Sequence, residues 1–536
     1  MHKNIVERIV FLSLLTFAFV FCLTCGRRGF FPLDQSIVFD GAWRIIQGQV
    51  PFRDFVCPIG PVSFLYQAEL FCVFGVNFKS YLVGAALLNL LACAATFLIA
   101  KSIFPDKIIF PFAGALLSAI YFFAQKGTTY PDQMAIFLCL IGLLGFLYAI
   151  RDKSPGPPID LSSCLLMFGS GFIWSTAFLT KQNFALFFLP LLFLLALIHF
   201  HKNRILLTKS LLFLSGGAAA CMLIFASWLL IYSTPELFFR FFFEIPFYEG
   251  VRRIGGGSVF KNKVDMLNAL AILSVAAFAI CVLLAKRNNQ GQPRLKILTA
   301  SVITMYLAAY TFMMLKTTNN NTENGWSCIG IIVALGFGIF SFNAFSFSRK
   351  TMSVLYVLVS AIYFTILIKG VHTAWNREAN YFRSNSIYEK FDDLESLDYL
   401  QWGTPTMVGR TGGKYVYIGK NEVTRLIAYL INSNSRFFIF TDFTALYAFT
   451  GKPSPQPLLW FHRGLTYSNT YDKNLDEWIV EDLKKNKTDT IIFEEASWFG
   501  SYHILKDFPV FNGYMQTNYE SKGCIGNYNI YKLKTP

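Results

Sequence analysis

Residues 27–75 read RRGFFPLDQSIVFDGAWRIIQGQVPFRDFVCPIGPVSFLYQAELFCVFG. The stretch is too long for a simple turn, and loops of this size tend to carry function. Asp34 follows Pro32-Leu33 and stands where a helix would start. From there Ile37, Ala42, Ile45 and Ile46 trace an apolar face, and Gly48-Gln-Val-Pro51 breaks the segment after 47. Pro61 opens a second segment with Phe64, Leu65, Ala68 and Phe71 on one side and Glu69 off it. The pattern predicts two short amphipathic helices lying at a membrane interface, with a turn containing Arg53 and Asp54 between them.

The flanking sequence supplies the membrane. Apolar segments of spanning length recur near 9–25, 81–101, 108–125, 132–150, 162–180, 183–200, 206–232, 266–285, 297–315, 327–347 and 352–369, eleven in all. The first has the basic start of a signal peptide, but Cys25-Gly-Arg-Arg does not suit cleavage, so it is read as a helix. Hydrophobic residues make up 54% of the 536 residues and charged residues 15%, against about 25% charged in soluble domains. Mean hydropathy is +0.45. These values exclude a soluble multidomain enzyme, a disordered chain and a solvated nucleic-acid binder. The expected fold class is a polytopic α-helical membrane protein of about eleven spans with a small C-terminal extracytoplasmic α/β domain.

Charge divides the chain in two. Lys and Arg number 47 against 32 Asp and Glu, a net +15. Residues 376–536 hold 18 of each, so the whole excess belongs to the membrane part, 1–375. There it sets topology. With the N-terminus in the cytoplasm, the short basic connections (Lys3 and Arg8, Lys101 and Lys107, Arg151 and Lys153, Lys202 to Lys209, Lys286 to Lys296, Arg349-Lys350) all fall inside. The turns near 126, 182 and 320 then lie outside with one Lys each, and so do residues 376–536. Ten of the fourteen acids in 1–375 also face outward, which places acid–base chemistry on that side. Most of the 11 cysteines lie within apolar runs and read as small buried thiols.

The order Asp34-Gln35, then Ile45-Ile-Gln-Gly-Gln-Val-Pro-Phe-Arg-Asp-Phe55, then Gly60-Pro61 resembles bacterial GT-C glycosyltransferases, the polytopic relatives of protein O-mannosyltransferases and of the lipid A aminoarabinose transferase. The resemblance implies a bacterial inner-membrane enzyme that takes a sugar from a polyprenyl phosphate on the outer face. It implies that Asp34 is the general base on the acceptor hydroxyl, with a second acid in the next outer loop, where Asp132 stands. The family shows an Asp-Glu pair after its first span; here Gln35 replaces the Glu, which removes any role needing two adjacent carboxylates. On the residues alone, Asp34 and Asp132 read equally as helix caps. A carboxylate half-desolvated against a bilayer is also a suitable base. Asp40 and Asp54 are weaker candidates in the same loop, Asp54 pairing with Arg53 to pin the turn.

Cations for a leaving phosphate are read at Lys181, between the fifth and sixth spans, at Arg252-Arg253 before Gly255-Gly-Gly257, and at Lys316. Arg252-Arg253 equally fit contact with anionic head groups. The second long loop, 233–265, carries Phe238, Phe239, Phe241, Phe242, Phe243 and Phe247 and is expected to form an in-plane helix in lipid. Its glycine run lacks the Lys-Ser/Thr ending of a nucleotide loop. In the C-terminal part, 436–442 and 488–494 read as buried strands, preceded by helices at 422–431 and 475–485. This domain is expected to shape the acceptor entrance.

The resulting expectation is an inverting glycosyltransferase with membrane lipids and a polyprenyl-phosphate-linked sugar as partners, an acceptor of unspecified class, and no nucleic acid. No cofactor is firmly implied, and nothing in the sequence supports a divalent metal. The alternative is a transporter or flippase of lipid-linked saccharides, which would carry charges in mid-span and inverted repeats. A polysaccharide polymerase or ligase and a membrane scaffold are further rivals.

Overall fold

The computed structural model describes residues 2–150, 160–255, 291–317, 326–342, 349–376, 387–391, 394–404, 406–411, 414–468 and 471–534. The membrane part runs α1 (His2–Gly26), α2 (Asp34–Ile46), α3 (Val62–Phe74), α4 (Phe78–Ile103), α5 (Ile109–Tyr121), α6 (Pro131–Ile150), α7 (Leu161–Phe178), α8 (Gln182–Phe200) and α9 (Arg204–Tyr232). Then comes a short helix, α10 (Pro235–Phe238), which continues through a π-helical turn into α11 (Ile245–Gly255). Helices Gly291–Thr317, Ile329–Phe342 and Arg349–Asn376 complete it. Among the described residues seven helices are long and apolar enough to cross a membrane: α1, α4, α6, α7, α8, α9 and the Tyr356–Asn376 part of the last. The expected segments at 108–125, 297–315 and 327–347 hold the shorter apolar helices Ile109–Tyr121, Leu295–Thr311 and Ile329–Ser341. The one expected at 266–285 lies outside the described residues.

Small residues let these helices close up without a hydrophobic driving force between them. A Cβ on Gly171 of α7 would stand 1.9 Å from the Leu214 carbonyl of α9, and one on Gly217 would stand 1.8 Å from that of Phe168. The two backbones touch there, which only glycine permits.

Beyond the last span lie two hairpins, β1–β2 (Ile387–Lys390, Gln401–Thr404) and β3–β4 (Thr406–Thr411, Lys414–Ile418), and a four-stranded sheet. The sheet order is β5-β6-β8-β7, from Phe437–Phe440, Thr490–Glu494, Tyr528–Leu533 and Tyr519–Ile525. β5 and β6 are parallel, with Phe437 opposite Thr490. Both are buried along their whole length, as their unbroken apolar runs require. Helices Lys420–Asn432 and Lys473–Lys485 precede them, which matches the α/β reading.

Two expectations need correction. α2 exists where expected, but it does not lie on an interface: every residue from Gln35 to Arg44 is buried. The Phe39 ring meets Phe71, Tyr81 and Phe449, and Trp43 Nε1 donates to the Lys452 carbonyl at 2.9 Å. The C-terminal domain sits on the face presumed to be wet, because the polar residues of α2 find partners there. The second long loop is likewise only half a lipid-facing helix. Phe238, Phe241 and Phe242 are buried, with Phe238 on the Phe52 ring and Phe242 on Phe178, while Phe239 and Phe247 stay exposed.

Candidate active site

Asp34 is the first residue of α2, and the cap position is Leu33, which makes no side-chain capping bond. Its carboxylate therefore does other work. Oδ2 accepts from Lys126 Nζ at 3.2 Å, with the lysine side chain 1% exposed and the aspartate 19%. The exposed edge of the pair is thus the carboxylate. The ammonium also lies 4.8 Å from the centre of the Tyr130 ring.

Gln35 explains its own departure from the family pattern. Its Oε1 accepts from Phe31 N at 2.6 Å, while Nε2 donates to the Lys126 carbonyl at 3.1 Å and to Thr128 Oγ1 at 3.2 Å. An ionised carboxylate has no proton to donate and could not make the bond to the Lys126 carbonyl. Tyr81 then donates to the Thr129 carbonyl at 3.0 Å, and Thr129 to Gln67 of α3 at 3.2 Å. The 126–129 loop is thereby held on the start of α2. The sequence showed a lone Lys in a short turn at 126 but gave no reason to assign it a role. Its partner is 92 residues away.

Asp132 falls in the first turn of α6 and is buried. The Tyr310 hydroxyl donates to the Phe184 carbonyl at 3.3 Å, in the first turn of α8. Lys181 stands at the cap of that helix, half-buried, with no side-chain capping bond. Beneath it, a Cβ on Gly60 would lie 1.6 Å from the Leu179 carbonyl, and Gly60 N donates to the Thr180 carbonyl at 3.2 Å. Gly60-Pro61 and the Lys181 turn are therefore in backbone contact. Gln182 extends the knot by donating to the Phe242 carbonyl at 2.7 Å. Burial pushes the nearby Cys57 thiol up to about 12, with Lys181 opposing.

The structure thus joins Asp34 and Gln35 to the loop leading into Asp132, and joins Gly60-Pro61 to the Lys181 turn. Among the described residues no hydrogen bond or ion pair joins Lys181 to Asp34. Arg252 and Arg253 lie on α11, so they are helical rather than part of a flexible stretch. Their side chains, and that of Lys316 near the end of Gly291–Thr317, fall outside the described set, as do 256–290.

The supporting residues divide by role. Asp40 pairs with Arg44 at 3.0 Å, both side chains fully buried, and Arg44 donates to the Gln456 carbonyl. Burial pushes the Asp40 carboxyl up to about 6 against the opposing pull of Arg44. This is a pin between α2 and the C-terminal domain. Arg53 and Asp54 pair at 2.7 Å on the surface, and Asp54 accepts from Val50 N at 2.7 Å, which closes the turn as expected.

A further acidic pair faces the site from the sheet. Asp442, after β5, and Glu494, ending β6, are both buried. Burial pushes both carboxyls up, and for Asp442 Glu494 adds to the effect. Among the described residues no group of three or more His, Cys, Asp or Glu side chains is arranged to hold a metal ion.

Comparison with known proteins agrees with this picture. Residues 58–231 match the family model described as dolichyl-phosphate-mannose-protein mannosyltransferase. ArnT from Cupriavidus metallidurans, solved bound to undecaprenyl phosphate, superposes with a TM-score of 0.56 at 12% identity, covering 98% of this chain and 97% of that one. The Archaeoglobus fulgidus oligosaccharyltransferase in its apo form gives 0.51 at 11% identity, covering 98% and 74%. The mycobacterial arabinofuranosyltransferase AftD gives 0.50 at 10%, covering 99% of this chain and 40% of its own. No curated protein matches at the level of sequence. The chain has the GT-C fold, and the resemblance read from its first long loop is borne out.

Proposed function

We propose that this GT-C protein is an inverting glycosyltransferase that takes a sugar from a polyprenyl phosphate at the membrane face carrying Asp34. One observation carries the reading: a partly exposed carboxylate, held by a buried ammonium, at the head of the loop that resembles the family. Asp34 takes the proton of the acceptor hydroxyl. The acceptor oxygen forms a bond to the sugar C1 as the bond from C1 to the phosphate oxygen breaks, and the electron pair leaves with the phosphate. Charge grows on that oxygen, so a cation nearby speeds the step. Lys181 serves this role, with Arg252, Arg253 and Lys316 as further phosphate contacts. Asp132, in the first turn of α6, is the second catalytic acid of this reading. A single displacement needs only one base, which suits Gln35 in place of a second acid. The donor lipid is undecaprenyl phosphate or a near relative, by analogy with the ligand of the Cupriavidus structure. The face in question is the extracytoplasmic side of a bacterial inner membrane, with the N-terminus in the cytoplasm.

The transporter reading is disfavoured because the candidate charges sit at helix ends and in loops, where proton or ion relays across a bilayer do not run. The test is Asp34→Asn in purified protein, assayed for release of polyprenyl phosphate from lipid-linked sugar. Transfer should fall by about a hundredfold or more while thermal stability stays close to wild type. Near-normal turnover would overturn the assignment. Lys126→Met should lower turnover by about tenfold or more, since the carboxylate loses its positioning partner. Unchanged turnover would show that the pair is only structural.

A further inference from the structure

The turn that follows β6 is held more firmly than a connection needs. Asn527 Oδ1 accepts from Ala496 N at 2.8 Å, and its Nδ2 donates to the Ala496 carbonyl at 2.9 Å. Asp442 Oδ2 accepts from Trp498 N at 3.0 Å. The Asp442 turn is itself fixed by Glu494 Oε2, which accepts from Thr441 N at 2.7 Å, Thr441 Oγ1 at 3.2 Å and Asp442 N. Gly409 of β3 closes in from above: a Cβ there would stand 2.2 Å from the Ser497 backbone.

What these constraints present is Trp498. Its indole is half-buried and meets the Phe31 ring edge-on at 5.3 Å. Phe31 N is the donor to Gln35, next to Asp34. Beside it Phe499, also half-buried, packs on the His462 ring at 4.1 Å. A partly open aromatic surface thus stands two contacts from the proposed base, at the carboxyl ends of the parallel strands β5 and β6, where open α/β sheets place ligands. Buried Asp442 Oδ1 and Ser497 Oγ, both without a hydrogen-bond partner, lie in the same two turns. Fixing an aromatic ring in its bound direction lowers the cost of binding, and such support is what distinguishes a site from a patch.

We propose that Trp498, backed by Phe499 and positioned by Asp442, forms an acceptor subsite that takes a saccharide or polyol. The C–H face of a sugar ring lies on the indole, and its hydroxyls turn toward Asp34 on one side and the Asp442–Ser497 turns on the other. An aromatic wall flanked by oxygen acceptors fits that mixed surface better than it fits a charged lipid head or an extended peptide, which would need a free strand edge. The inference rests on the proposed glycosyl transfer for the word acceptor, but not for the binding itself.

The test uses the detergent-solubilised full chain, methyl α-D-mannopyranoside as probe and a Ser/Thr peptide as comparison, read by saturation-transfer NMR. The glycoside should receive saturation. Trp498→Ala should lower the signal about fivefold or more, with Trp498→Tyr recovering most of it. Asp442→Ala should lower it as well, while Asp442→Asn, which keeps an oxygen for Trp498 N–H, should not. If the Ala variant fails to fold, 5-fluorotryptophan labelling of the wild type decides, with the residue 498 resonance assigned from Trp498→Phe. That resonance should move on glycoside addition. A signal indifferent to Trp498, an unmoved resonance, or saturation of the peptide alone would overturn the proposal. Glycoside binding is read without a sugar donor, so a chain that binds the glycoside through Trp498 but releases no polyprenyl phosphate separates failure of the proposed transfer from failure of the subsite.

Discussion

At the scale of single residues, Gln35 is the most informative position. A reader of the sequence sees an acid lost from a pair. The structure shows an amide gained, because an amide can donate to the Lys126 carbonyl while accepting from Phe31 and an ionised carboxylate cannot. Gln35→Glu would place a second carboxylate beside Asp34 and leave the Lys126 carbonyl without that donor in a fully buried site. It should cost about 1–3 kcal/mol, read as a lower melting temperature, and should not raise turnover. A variant as stable as wild type would mean that the amide bonds contribute little. Asp34 was legible because local sequence surrounds it with a recognisable pattern. Lys126 was not, since nothing within its own turn announces a partner 92 residues earlier. Trp498 was invisible for the same reason: its meaning comes from Phe31, which only folding brings near.

At the scale of elements, α2 teaches the clearest lesson. Periodicity located it, yet could not say what covers its polar side. Asp40, a weaker candidate for chemistry in the sequence, forms a dry pair with Arg44. That burial gives the helix a pH dependence whose sign can be worked out. The folded chain holds the Asp40 proton more tightly than the unfolded chain does, since the carboxyl is raised to about 6 from 3.8. Its contribution to stability is therefore fully present below about pH 4 and is lost as pH rises through about 6. The shift corresponds to about 3 kcal/mol between those limits. Melting temperature followed from pH 4 to pH 7 should show this loss, and Asp40→Asn, which cannot ionise, should flatten it; an unchanged slope in that variant would assign the effect to other carboxyls. The Lys181 turn depends on a different kind of contact. Gly60→Ala drives a methyl group into the Leu179 carbonyl and must part the first loop from the α7–α8 turn. A stability loss of about 1–3 kcal/mol is expected, together with weaker retention of polyprenyl phosphate; intact retention would separate Lys181 from the phosphate.

At the scale of the whole molecule, composition divided the chain at about residue 376, yet the packing ignores that line. Phe30 stacks on Trp402, tilts against Phe443 and meets Phe449 edge-on, Gly29 N donates to the Gln401 carbonyl at 2.7 Å, and Arg28 lies against the Trp375 and Tyr388 rings. One apolar cluster runs from Phe30 through α2 and α3 into the 423–459 region. The spans were legible because each carries its own hydropathy signal; this cluster was not, because its two halves are some 400 residues apart in sequence and neither is complete alone. The C-terminal domain should therefore be required for the shape of the loop that holds Asp34, not merely for access to it. A chain ending at Asn376 should still insert, since the long apolar helices carry that signal. Its α2, however, would lose the cover over Phe39, Trp43 and Arg44, leaving an exposed apolar helix with a buried-type ion pair opened to water. Limited proteolysis should then cut between 34 and 60 much faster than in the full chain, and turnover should be absent even with saturating donor. Protection of 34–60 in the truncated chain would show that α2 folds on α3 alone and that the shared core is dispensable.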